Sequence, residues 1–107
     1  MVEDLLRRDC LALTAITVFE LYAGISGTKR LKHIDRMVSL VPILAFELSE
    51  ALVASQIYNE LRQAGTLIGN QDIFIAAVCL VNRLPLLTRN TGHFSRVPKL
   101  MFYRHGD

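Results

Sequence analysis

Nine consecutive apolar residues, Ile73 to Val81, constrain the fold of this chain more than any other feature. Asn70 offers a cap ahead of them, and Pro85 follows the end, so the pattern predicts a helix capped by Asn70 and running through Ile73 to Asn82. A helix apolar on every side has no face to give to water, which places it at the centre of the molecule. No longer apolar run exists in the sequence, and a membrane span needs about twenty such residues, so a transmembrane helix is not expected.

The rest of the composition agrees with a folded core. The chain has 107 residues, 51% of them hydrophobic and 21% charged, which suits a single globular domain over 1–107. The acidic start Met1-Val2-Glu3-Asp4 does not read as a secretory signal. Two cysteines, Cys10 and Cys79, are too few for a disulfide framework and lack zinc-site spacing, so buried thiols in a reducing cytoplasm are expected. The formal charge is +2, which permits nucleic-acid binding without requiring it. Nine of the twelve basic residues are Arg, the side chain better shaped for bidentate phosphate contacts.

Along the chain, residues 3–8 read as the end of a helix and residues 11–16 as a short buried strand, although Leu and Ala also fit a helix there. Thr17 and Glu20 have the spacing of a capping box, and Gly24 or Gly27 can end the helix that follows. Residues 29–40 form an amphipathic helix, with Leu31, Ile34, Met37 and Val38 inward and Lys29, Arg30, Lys32 and Arg36 outward. Pro42 makes 41–46 an edge strand. The helix over 47–64 carries Glu47 and Glu50 in its first turn and stops at Gly65. Residues 86–88 form a short strand, 89–99 a polar loop and 100–103 a last strand. Strands alternating with helices predict an α/β fold with a mostly parallel sheet.

Chemistry-bearing residues sit at element junctions. Glu20 and Asp72 lie in first helical turns, and Asn90 follows a strand. Ligands of parallel sheets bind beyond the carboxyl ends of strands, and carboxylates gathered there make an oxygen-rich site suited to Mg²⁺ or Mn²⁺. Each residue has a plainer alternative: Glu20 can close its capping box, Asp72 can complement a dipole, and Asn90 can form a turn. His93 and the basic run at 29–36 can contact substrate or simply be solvated. His33 and His105 suggest no partner.

Three segments together resemble a known family. Thr14 to Gly24 resembles the S-x-x-T-x-x-E-L-x-x-G segment of PIN-domain toxins, Ile68 to Ala77 their I-G-x-x-D-x-x-I-A-A, and Leu86 to Pro98 their L-V-T-x-N-x-x-x-F-x-x-V-P. The likeness is to VapC-like toxins of type II toxin–antitoxin modules. It implies a three-layer α/β/α PIN-like fold and a Mg²⁺- or Mn²⁺-dependent endoribonuclease. It also implies a homodimer held inactive by an antitoxin. Glu20, Asp72 and Asn90 would then form the catalytic metal site, with RNA hydrolysed by metal-assisted attack of water. Thr17, Arg89, His93 and Arg96 would be substrate-binding candidates.

The resemblance also implies an opening strand that carries a metal-site Asp, and no segment here matches it. Asp4 and Asp9 follow no apolar strand, so the chain is expected to begin in the helix after the family's first strand. Truncation or a misassigned start is the favoured explanation; gene decay and strand completion by a partner are the others. Many relatives have an acid near the position of His93, which makes that corner of the site weaker. A catalytically silent module that dimerises and binds an antitoxin is the alternative function.

Overall fold

Thr14 marks the point where strand turns into helix. In the computed structural model, which describes residues 11–25 and 27–103, strand β1 is only Leu13–Thr14 and helix α1 runs Ala15–Ala23. The buried Thr14 is the N-cap, and its Oγ1 accepts a hydrogen bond from the Thr17 N–H at 2.9 Å. This corrects the expected capping box: Thr17 lies inside the first turn, and the strand expected over 11–16 gives up its last two residues to the helix. The backbone of Gly24 ends α1 without adopting a left-handed conformation. Gly27, at φ 91°, is the N-cap of α2, Thr28–Leu40. Residues 3–8, Asp4, Asp9 and Cys10 lie outside the described residues.

Strand β2, Ile43–Leu44, runs parallel to β1, with Leu13 opposite Ile43 and Thr14 opposite Leu44. Pro42 has no N–H to offer, but its carbonyl accepts from Leu13 N at 3.0 Å and so extends the ladder. These elements belong to one compact unit, Met1–Ala45, and a second unit spans Phe46–Asp107.

The second unit is built on two packed helices, α3 (Leu48–Gln63) and α4 (Asn70–Asn82). At the start of α3, Glu47 and Glu50 form a capping box, in which the Glu47 N–H donates to Glu50 Oε1 at 2.9 Å. One stripe of α3, through Ala54, Ile57 and Leu61, is buried. The helix ends in a Schellman turn: Gly65 takes φ 71°, Thr66 N donates to Leu61 O and Gly65 N to Arg62 O.

Helix α4 is the expected central helix. Ile73, Ala76, Ala77 and Val78 are at most 1% exposed, and Ile75 and Cys79 are also buried. Its N-cap is Gly69 rather than Asn70, which is the first helical residue. Its end repeats the Schellman pattern with Arg83, not glycine, in the left-handed position at φ 55°; Leu84 N donates to Cys79 O and Arg83 N to Leu80 O. Phe46 and Phe74 stack at a tilt, ring centroids 4.9 Å apart.

The segments expected as strands at 86–88 and 100–103 meet in a single parallel bridge, Leu86 with Phe102. The polar loop expected over 89–99 is only partly so. It contains a short helix, α5 (Thr91–Phe94), and sends Phe94 and Val97 into the core. No described helix is long and apolar enough to cross a membrane.

Candidate functional site

Asp72 is held by the helix that carries it. It sits in the first turn of α4, where the N-terminal dipole favours a carboxylate, one residue ahead of the buried Ile73. The side chain is 25% exposed, so core packing fixes its base while its oxygens reach solvent.

Asn90 and His93 come to it from α5. Asn90 is the N-cap residue but makes no side-chain cap bond. Its amide Nδ2 lies 2.9 Å from His93 Nδ1, and His93 Nδ1 lies 3.5 Å from Asp72 Oδ2. With the amide donating to the ring, Nδ1 is the acceptor and Asn90 Oδ1 stays outside that bond. Thr88 orients the turn: its Oγ1 accepts from the Asn90 N–H at 3.0 Å. Asp72, Asn90 and His93 thus form one cluster in the second unit.

Thr88 was missed from sequence. The signal was present in the spacing Thr88-Arg89-Asn90, where a hydroxyl two residues before an amide caps its backbone. The link between His93 and Asp72 was missed as well, because nothing local joins α5 to the start of α4.

The remaining candidates are distributed as follows. Glu20 is on α1 in the first unit, half-buried, and its backbone carbonyl accepts from Gly24 N at 3.0 Å. Thr17, on the same helix, places its Oγ1 2.9 Å from Thr14 Oγ1. Arg96 Nη1 donates to Leu67 O at 3.3 Å, which ties the segment after α5 to the loop before α4. Arg89 is exposed.

The donor set can be tested against a hard cation. Among the described residues, no group of three His, Cys, Asp or Glu gathers as a metal cage. The cluster of the second unit supplies one carboxylate and one amide oxygen. Mg²⁺ is commonly held by one or two carboxylates, with waters and substrate phosphates completing its shell, so these oxygens fit such an ion in chemistry and number.

The PIN-domain family profile matches residues 2–100. A ribonuclease VapC from Rickettsia bellii is 34% identical over 95 residues, covering 82% of this chain and 71% of that protein. Ribonuclease VapC2 from Rickettsia felis is 29% identical over 104 residues, covering 94% of this chain and 78% of that protein. In three dimensions the chain is similar to the crystal structure of VapBC2 from Rickettsia felis bound to a DNA fragment from their promoter. The TM-score is 0.83 at 27% identity, covering 95% of this chain and 80% of that one. A match of this breadth, on a fold whose pairings are parallel and whose central helix opens on Asp72, makes the chain a member of the PIN-domain family, of the VapC-like kind.

Proposed function

We propose that this protein is a divalent-metal-dependent endoribonuclease of the VapC type, acting as the toxin of a toxin–antitoxin module. The observation that carries the proposal is the cluster of Asp72, Asn90 and His93 at the opening of the central helix, in a chain of this family. Relatives named as ribonucleases and the VapBC complexes among its structural neighbours support it.

In this proposal Glu20, Asp72 and Asn90 supply the oxygen donors for Mg²⁺ or Mn²⁺. When bound, the ion would orient a water for in-line attack on an RNA phosphodiester and offset charge on the phosphate. Asp72 contributes the negative charge at a fixed position. Asn90, set by Thr88, contributes a neutral oxygen. His93, 51% exposed beside Asp72, is placed to donate to a substrate phosphate, with Thr17, Arg89 and Arg96 as further contacts. The protein pairs with a second copy of itself and is held inactive by an antitoxin.

The test is cleavage of a structured RNA by the purified protein. Expected is cleavage that requires Mg²⁺ or Mn²⁺, stops with chelator, and disappears in both Asp72→Ala and Glu20→Ala. Equal cleavage by wild type and variants would sink the proposal. The alternative is a silent module that binds antitoxin without cutting RNA. Tight antitoxin binding with no cleavage under any metal would select it.

A further inference from the structure

Of the five basic side chains of α2, four share one side, and Arg30, about 100° round from Lys29, lies off it. At about 100° per residue, Lys29, Lys32, His33 and Arg36 fall on one arc of the helix, at spacings i, i+3, i+4 and i+7. All four are exposed. Leu31, Ile34 and Val38 occupy the opposite side. The helix has one acidic residue, Asp35, which lies off the basic arc and accepts a hydrogen bond from the Tyr22 hydroxyl at 2.5 Å. Among the described residues, none of the four basic side chains is drawn into an ion pair.

We infer that this arc is a binding surface for the phosphate backbone of RNA, separate from the cluster that would cut it. The inference rests on the ribonuclease proposal and extends it to a site on the other unit. A solvated helix face usually mixes both signs, whereas this one is of a single sign over about 10 Å of helix. Protein partners are a poorer fit. Interface cores are depleted in Lys and built around apolar or aromatic anchors, and this arc offers none until Leu40 at its end. Lys and Arg spaced by one helical turn suit successive phosphates.

The experiment measures binding of a labelled single-stranded RNA to Asp72→Asn protein, which leaves the probe intact, with and without Lys29→Gln, Lys32→Gln and Arg36→Gln together. Glutamine keeps helix propensity nearly constant, and equal thermal midpoints verify the fold. The triple change is expected to weaken binding at least tenfold at low salt. It should also flatten the slope of log affinity against log salt by about 2, from roughly 0.7 per lost contact. An unchanged slope with cleavage intact in wild type overturns the inference and leaves the ribonuclease proposal standing. A wild type that neither binds nor cleaves RNA overturns both. Tighter wild-type binding to labelled poly-L-glutamate than to RNA, lost in the triple variant, overturns it in favour of an acidic protein partner.

Discussion

Asp72 Oδ2 and His93 Nδ1 stand 3.5 Å apart, although one belongs to the central helix and the other to a short helix beyond the Leu86 bridge. An imidazole occupies a place where a second carboxylate would bring two negative oxygens together. That trade sets the charge of the cluster.

Replacing the ring tests it. His93→Asp adds an anionic oxygen beside Asp72, so Mn²⁺ affinity is expected to rise roughly tenfold, as ligand charge dictates for hard ions. The metal-free variant should melt lower than wild type because two carboxylates repel, and Mn²⁺ should restore it. Calorimetric titration and melts with and without metal check both. A variant with unchanged Mn²⁺ affinity would place the metal elsewhere.

Arg83 carries a side chain in a left-handed conformation that costs an L-residue about 1–2 kcal/mol. Arg83→Gly relieves that cost, partly offset by the freer unfolded chain, for a net gain of about 0.5–1 kcal/mol. For a chain of this size the melting midpoint should rise by a few degrees. A thermal melt decides it.

Glu50 makes stability depend on pH. The Glu47 N–H, and then its own backbone N–H, hold its carboxyl below the ordinary value of 4.5. The folded state therefore binds this proton less readily than the unfolded state. The stabilisation is present above the unfolded value and is lost as pH falls through the lower folded one. Melting midpoints of wild type and Glu50→Gln, scanned from pH 6 downward, should differ most at the top of the range and converge in acid. A gap independent of pH would mean that the carboxylate charge contributes nothing.

Cys79 should be inert while the protein is folded. Burial pushes its thiol up to about 11, which leaves almost no thiolate near pH 8. In a Cys10→Ser background, a chromogenic disulfide reagent should react only as fast as the chain opens, and at once in denaturant. Rapid labelling of the native protein would contradict the packing around α4.

Local signals account for what was legible in the sequence. The helices at 28–40, 48–63 and 70–82 declare themselves through apolar periodicity, first-turn acids and the stop at Gly65. The family likeness rests on three ordered motifs and holds over residues 2–100. Choices between near-equal local options were less legible. Thr17 fits an N-cap by spacing, but Thr14, which also pairs with Leu44 in the ladder, takes that place. Arg83 takes a conformation usually left to glycine because two backbone bonds close the turn around it. Phe94 and Val97 sit in a polar stretch, and their burial is tertiary. The same holds for the contact of His93 with Asp72, which no periodicity announces.

The seamless apolar girth of α4 has one more consequence. Buried on every side from Ile75 to Cys79, the helix cannot turn or slide without displacing that packing, so the carboxylate is registered by the core itself. Small residues about one turn further along the helix, Ala76 and Ala77, therefore act as its alignment pins. Enlarging either would show first as a misplaced charge and only second as a weaker fold.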